Sequence, residues 1–229
     1  MYKIFFVMMI LNHCVPVIYK ESDGFIKIID KKENQSEVFP KNTKSIGFNS
    51  EFNLDLEDLK QFPYLESLEL SNPNINSLGK IREFKNLVYL NLNHTSIHNL
   101  EGIENLTNLH TLILNNTKVE NLDVIRTLKK ITRISIANTN CRDLSFVKDL
   151  PELRHLDIRK TLVRDLSSLS QSKKLLDIYM GDSKVKSIFN LYDLKDLTSL
   201  EIDNLEIPQE EIIEIRKRNK YLKIIRRKY

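Results

Sequence analysis

The sequence is poor in the residues that build several common kinds of site. Its 229 residues include 2 cysteines, 5 glycines and 6 prolines. Two cysteines are too few for a disulfide framework or a multi-cysteine zinc module. The low glycine and proline content argues against a turn-dense β-sandwich and against glycine-rich nucleotide-binding loops, and the sequence carries no phosphate-loop or dinucleotide fingerprint. We therefore predict a protein with no metal and no cofactor.

Long apolar runs are also missing, although hydrophobic residues make up 41% of the chain, enough for the core of one large domain. The run 4–11 follows Lys3 and is too short for a comfortable membrane span. Its shape is that of a secretory leader, so residues 1–19 are assigned to a signal peptide or a lipoprotein-type leader. Leu11-Asn12-His13-Cys14 loosely resembles a bacterial lipoprotein box, which makes a lipid anchor or cleavage at Cys14 the alternative. His13 departs from that pattern, which has a small residue there.

What the sequence does contain is a repeat of 22 residues. The frame L-x-x-L-x-L recurs in seven full units that begin at residues 65, 87, 109, 131, 153, 175 and 197, and one degenerate unit begins at 43. In L-x-L the two apolar side chains point to one face of a strand, which a single unit cannot bury. Stacked units share a continuous core. Apolar residues three apart in the rest of each unit favour short 3₁₀ or helical turns on the opposite side.

This frame resembles the leucine-rich repeat family, in the 22-residue class that includes bacterial internalins and a nuclear phosphatase regulatory subunit. The resemblance covers residues 43–229. It implies an α/β repeat solenoid, a right-handed superhelix with a concave parallel β-sheet and short 3₁₀ or helical turns on its convex side. Nine strand positions at about 4.8 Å give a sheet about 40 Å long. Fold resemblance is weakly specific for function.

One position departs from the family pattern. Position 9 of each unit, an inward turn where the family has Asn, holds Pro73, Thr95, Thr117, Thr139, Thr161, Ser183 and Leu205. We expect the hydroxyls to bond the backbone of adjacent turns, replacing the usual asparagine ladder. Cys141 occupies an apolar position among Ile and Val, which predicts a buried, inert thiol.

The two ends lack the frame. Residues 20–42 form a predicted N-terminal cap. Within residues 15–42, which lack the frame, the pattern of Val17–Tyr19 and Phe25–Ile29 predicts a hairpin that covers the first repeat. The repeats occupy residues 43–207. Residues 208–229 form a predicted C-terminal cap, with a helix that starts at Pro208 and a final basic strand at 222–224.

Positions 3, 5 and 7 of each unit face away from the core and form rows across the sheet. Exposed aromatic and arginine side chains are the usual anchors of protein interfaces. The candidate binding surface, termed the concave patch below, consists of Tyr89, Asn91, Thr111, Ile113, Arg133, Ser135, His155, Asp157, Arg159, Asp177 and Tyr179.

Three other constellations point to chemistry more weakly. Ser135, His155 and Asp157 are predicted neighbours, but an open sheet offers neither oxyanion donors nor a closed pocket, so we predict no enzyme. His94 and His98 lie on a turn without the glutamate of a zinc-protease motif. The Asn-x-Ser/Thr triplets would be glycan acceptors if the host were a eukaryote, and the repeat itself explains three of the four; they begin at Asn34, Asn93, Asn105 and Asn115.

The prediction is therefore a monomeric, secreted or surface-attached bacterial module that binds another protein, such as a host or cell-surface protein, through the concave patch. The alternative is a cytoplasmic adaptor or enzyme-regulatory subunit. The formal charge of +4 and pI of about 8.9 suggest an acidic partner, yet residues 210–229 hold eight bases and three acids, so the rest of the chain is slightly acidic. Protection of the last sheet edge is the simpler interpretation of this basic end, and contact with anionic lipid or nucleic acid is the alternative; no nucleic acid partner is expected.

Overall fold

A nine-stranded parallel sheet runs the length of the repeats. The computed structural model describes residues 24–29, 36–48 and 56–228. Within them, nine strands form the large sheet in chain order, each beside its neighbours in sequence, and the first two strands of the chain form a separate two-stranded sheet. The strands are β1 (Phe25–Ile29), β2 (Ser36–Pro40), β3 (Ser45–Phe48), β4 (Ser67–Leu70), β5 (Tyr89–Asn91), β6 (Thr111–Ile113), β7 (Arg133–Ser135), β8 (His155–Asp157), β9 (Asp177–Tyr179), β10 (Ser199–Glu201) and β11 (Lys223–Ile225).

The register of this sheet follows the repeat period. Leu90 of β5 is opposite Leu68 on one side and Leu112 on the other, an offset of 22 residues each way. The same offset holds from β3 to β10. It becomes 24 at the last pair, where Leu200 faces Ile224. Equal repeat positions therefore stand side by side, and the predicted repeat solenoid is confirmed.

The return path on the convex side consists of short 3₁₀ segments, as the three-residue apolar spacing predicts. They span Leu56–Gln61, Ile81–Glu83, Ile103–Asn105, Asp123–Thr127, Ser145–Asp149, Ser167–Leu169 and Phe189–Leu191. In the six units that begin at residues 65 to 175, the side chain at position 13 accepts a backbone N–H two residues later, at the entry to the turn. Asn121 Oδ1 accepts from Asp123 N at 2.7 Å, and Asp143 Oδ1 from Ser145 N at 2.9 Å. Short polar side chains favour this local turn.

The inward side chains of the repeats form one continuous apolar core. Leu90, Leu112 and Ile134 of neighbouring strands are all fully buried. Cys141 is buried in the same core, as predicted. Burial raises the pKa of its thiol to about 11, and Sγ lies 3.3 Å from the carbonyl oxygen of Asp143. A thiol that remains protonated is a poor nucleophile.

The threonines of position 9 do not bond adjacent turns, so that expectation is wrong. Their hydroxyls donate to the carbonyl three residues earlier in the same unit, as Thr117 does to Leu114 at 2.7 Å and Thr139 to Ile136 at 2.8 Å. The physical reason is side-chain length, because the threonine hydroxyl is one bond from Cβ and does not extend to the next turn as an asparagine amide does. The hydroxyls satisfy carbonyls that the tight turn leaves unpaired.

The residue before each of these hydroxyls takes a left-handed backbone. Position 8 has φ between 54° and 58° in six consecutive units, at His94, Asn116, Asn138, Lys160, Asp182 and Asn204. Asn, Asp and His are the non-glycine residues that tolerate this conformation best. Five of the six positions hold one of them, which explains how sharp turns form in a chain with so little glycine.

Each end of the repeats carries a cap of its own. Strand β1 pairs antiparallel with β2, for which no strand was predicted; Val17–Tyr19 and the rest of the leader, Cys14 included, lie outside the described residues. Phe39 of β2 packs edge-on against Phe48 and Phe62, with ring centroids 5.9 Å apart in both pairs. The first repeat is thereby covered on its open side.

At the other end, helix α1 (Gln209–Arg218) follows Pro208 directly. The carboxylate of Glu211 accepts hydrogen bonds from Ile188 N at 2.6 Å and Ser187 Oγ at 2.8 Å, which fixes the helix to the last 3₁₀ turn. Among the described residues, no helix has the length and apolar character needed to cross a bilayer.

Candidate functional site

Every residue of the concave patch lies on the face of the sheet that points away from the core. Because equal repeat positions stand side by side, each of the five consecutive strands β5 to β9 carries two of these residues, and Arg159 lies just after β8. Arg133 and Arg159 are exposed and the other nine are half-buried. The patch is therefore an open surface on a rigid support rather than a pocket.

Asparagines connect the strands on the N-terminal side of the patch. Asn93 Oδ1 accepts the backbone N–H of Asn115 at 3.0 Å, and Asn115 Oδ1 accepts that of Ala137 at 2.7 Å. Ser135 Oγ donates to Asn115 Oδ1 at 2.6 Å. The asparagine ladder absent from position 9 thus exists at position 7, on the concave face. The two ladder asparagines, Asn93 and Asn115, each begin an Asn-x-Thr triplet, and their side-chain oxygens accept backbone N–H groups of the next strand.

A charged cluster occupies the middle of the patch. Arg159 donates two hydrogen bonds to Asp157, from Nε at 2.9 Å and Nη2 at 2.6 Å, and its guanidinium lies 5.6 Å from the ring centroid of Tyr179. The hydrogen bonds to Asp157 raise the pKa of Arg159. Bidentate and cation–π contacts hold long side chains in place before any partner arrives.

Arg133 stands apart from that cluster. It lies on β7 between Thr111 and His155, and His155 Nδ1 is 2.6 Å from Asp177 Oδ2. Of the charged groups that the patch contributes, Arg133 is the one that has neither a hydrogen bond nor an ion pair within the described part of the chain. Half-buried Ile113 lies on the same face one strand away, so a free guanidinium and an apolar side chain both belong to this part of the patch.

Tyr89 lies at the N-terminal end of the patch, where the sheet is less charged. Burial, and after it the nearby charge of Glu69, raises the pKa of Tyr89. Tyrosine combines an apolar ring with a polar tip, which suits a protein interface.

The side chains of Ser135, His155 and Asp157 do not form the hydrogen-bond chain of a hydrolase. His155 bonds Asp177, whereas the Ser135 hydroxyl bonds Asn115 and lies 3.2 Å from Asp157 Oδ2. A triad requires the histidine between the serine and the acid. Among the described residues, no three His, Cys, Asp or Glu side chains are grouped as metal ligands.

The C-terminal end of the concave face holds a feature that sequence reasoning missed. Glu201 and Asp203 belong to the outward rows, yet they are only 3% and 6% exposed. Glu201 accepts the N–H groups of Asp203 at 2.9 Å and Gly181 at 3.3 Å, and Arg227 Nε donates to Asp203 Oδ2 at 2.8 Å. A Cβ at Gly181 would collide with the Glu201 carboxylate. The available signal was a glycine in an outward row, Gly181, which is diagonal to Glu201 of the next strand.

Comparison with known proteins gives the class of this fold. No protein-family model and no curated protein matches the chain, but its structure is similar to solved ones. Internalin C2 (inlC2) of Listeria monocytogenes is 17% identical with a TM-score of 0.74, covering 83% of this chain and 85% of that one. The inlF internalin of the same organism is 21% identical with a TM-score of 0.64, over 76% and 59% of the two chains.

A plant peptide hormone receptor, RGFR1, solved in complex with RGF2, is 17% identical with a TM-score of 0.58 over 75% of this chain and 30% of that one. The chain thus spans less than two thirds of both inlF and this receptor. These likenesses and the parallel sheet of short strands define a leucine-rich repeat protein, as the 22-residue frame predicts. The solved structures with this fold include internalins.

Proposed function

We propose that the concave patch binds another protein and that the chain is a non-enzymatic recognition module. The observation that carries this proposal is the free guanidinium of Arg133, one strand away from Ile113, in a patch whose other charged side chains hydrogen-bond one another. An unpaired arginine with exposed apolar and aromatic surface nearby is the typical composition of an interface centre. The receptor of the same fold, solved with a peptide hormone, is consistent with this use.

The rigidity of the patch supports recognition rather than loose association. Asp157, Arg159 and Tyr179 are already held in one arrangement, so binding would cost little side-chain entropy. The chemistry expected of the partner is an acidic side chain seated on Arg133, with apolar or aromatic groups against Tyr89 and Tyr179. A partner surface dominated by lysine and arginine would be repelled at this point.

The test compares two double variants of equal composition. Tyr89→Ala with Tyr179→Ala alters the patch, whereas Tyr64→Ala with Tyr221→Ala removes two tyrosines that are 58% and 91% exposed elsewhere. The partner is first recovered with a photo-crosslinking probe placed at Thr111 of this protein. Its binding is then titrated against each of the two double variants. The patch variant should bind at least roughly tenfold more weakly, and the control should match wild type. Equal binding by both variants would move the site off the concave face.

We further propose that the module is secreted or surface-attached and monomeric, a proposal supported by the leader-like residues 1–19. Mass spectrometry of the native amino terminus checks it. A chain that begins after the leader, or carries lipid on Cys14, agrees with it. An intact Met1 in the cytosolic fraction supports instead the cytoplasmic adaptor. Light scattering checks the monomer.

A further inference from the structure

A second surface of the solenoid carries strong charge. After each concave strand the chain turns over one long edge of the sheet through positions 8 to 12, and we call this edge in the units that begin at 131, 153 and 175 the basic flank (138–142, 160–164 and 182–186). Five of its side chains are exposed cations and one is a carboxylate, Asp182. The cations are Arg142, Lys160, Arg164, Lys184 and Lys186.

The cations are regularly spaced. Leu162 N donates to the carbonyl of Cys141 at 3.0 Å, and Lys184 N donates to that of Val163 at 3.0 Å. The turns of successive units are thus hydrogen-bonded side by side, at about the 4.8 Å separation of the strands. Arg142 and Arg164 directly follow the two acceptor residues. They form, with Lys186 in the next unit, a straight row with one positive charge per repeat.

No carboxylate among the described residues forms an ion pair with this row. On the convex side, cations face carboxylates of the neighbouring repeat, such as Arg126 with Asp149 at 2.7 Å and Lys174 with Glu152 at 2.5 Å. None of the five flank cations comes within 4.0 Å of a described carboxylate, and none has a hydrogen bond from its side chain to another described residue. Like charges at this spacing repel one another, which weakly destabilises the fold.

The acids nearest in sequence are already occupied. Asp143 follows Arg142 but accepts both the N–H and the hydroxyl of Ser145, at 2.9 and 2.5 Å. Asp165 follows Arg164 and accepts the same pair from Ser167. Both carboxylates are therefore turned into their own 3₁₀ segments. At the start of the row, Glu120 accepts from Asn140, and Asp182 accepts from Asn204 at 2.8 Å.

We propose that the basic flank is a binding site for a linear polyanionic polysaccharide bearing sulfate or carboxylate groups. Guanidinium groups bind such oxyanions in bidentate fashion, and a straight row suits an extended chain. The described flank carries no Phe, Tyr or Trp, whereas proteins that hold single-stranded nucleic acid stack bases on aromatic rings. The flank is a different surface from the concave patch, so this proposal does not depend on the proposed function.

The experiment measures binding of the full chain to a fluorescent heparin oligosaccharide at an ionic strength of about 0.15 M. The flank variant carries Arg142→Gln, Arg164→Gln and Lys186→Gln. The control variant carries Arg216→Gln, Lys217→Gln and Lys220→Gln, which lowers the net charge equally at three exposed positions of the basic C-terminal end. We expect the flank variant to lose roughly tenfold or more in affinity, the control to lose little, and wild-type affinity to fall with added salt.

A gain-of-affinity variant makes the test independent of any loss of folding. Asp182→Asn removes the carboxylate from the flank, and asparagine keeps both the left-handed backbone and an acceptor for Asn204. It should bind heparin severalfold more tightly. Equal losses in the flank and control variants, no gain with Asp182→Asn, or tighter binding to single-stranded DNA of matched charge than to heparin would each overturn the proposal.

Discussion

Replacing Leu112 by alanine tests the packing of the solenoid at its centre. Leu112 lies in β6, next to the central strand of the sheet, opposite Leu90 on one side and Ile134 on the other, and it is fully buried. The change removes three carbon atoms, worth about 0.8 kcal/mol each in lost burial. The cavity left between two neighbouring repeats adds to this because flanking backbones fixed by the ladder cannot collapse into it. We expect a loss of about 2–5 kcal/mol.

The measurement is urea unfolding followed by circular dichroism, with Thr111→Ala as the matched control. Thr111 is the preceding residue of the same strand and points to the opposite, concave face. Its substitution should change the unfolding free energy by about 0.5 kcal/mol or less. Because repeats contact only their neighbours, the variant should also show a broader transition as the two halves uncouple. A Leu112→Ala protein as stable as the control would refute the inward assignment.

Two further predictions concern features that only the structure shows. Burial raises the pKa of Glu201 above its ordinary 4.5, so the folded state binds this proton more tightly than the unfolded chain and loses stability as pH rises from about 4.5 through the folded pKa. Urea unfolding measured at pH values from 4.5 to 8 should therefore show the unfolding free energy of Glu201→Gln rising relative to that of wild type as the pH increases. A difference that stays constant with pH contradicts the argument. Thr139→Val, which leaves the Ile136 carbonyl without its hydroxyl donor, should cost about 1–3 kcal/mol by the same assay, whereas no loss would mean that this bond contributes nothing.

Much of the fold follows from the repeat because periodicity constrains each unit through its neighbours. The spacing L-x-L sets which side chains point inward, and a constant length of 22 forces equal positions into register, as Leu68, Leu90 and Leu112 show. Where the period is broken, the prediction weakens. Strand β2 was missed because Ser36–Pro40 carries no alternating apolar pattern, being exposed along most of its length.

The candidate site divides in the same way. The sequence places Tyr89, Arg133 and Tyr179 on one face, since the strand period alone decides the face of a side chain. It does not decide which charges remain free. That depends on side-chain lengths and on contacts between residues 22 positions apart. Asp177 hydrogen-bonds His155, and Arg133 therefore has no carboxylate partner.

Sequence alone therefore determined the architecture of this protein: the parallel sheet, the inward core and the outward rows, because a repeat of fixed length has one way to stack. Tertiary structure decided its electrostatics. Glu201 of an outward row became buried because β11 and Arg227 close the end of the sheet over its neighbour Asp203. The cations of the basic flank remained unpaired because the adjacent acids, such as Asp143, bond their own turns. Both outcomes depend on distances of a few ångströms between side chains, which no periodicity encodes.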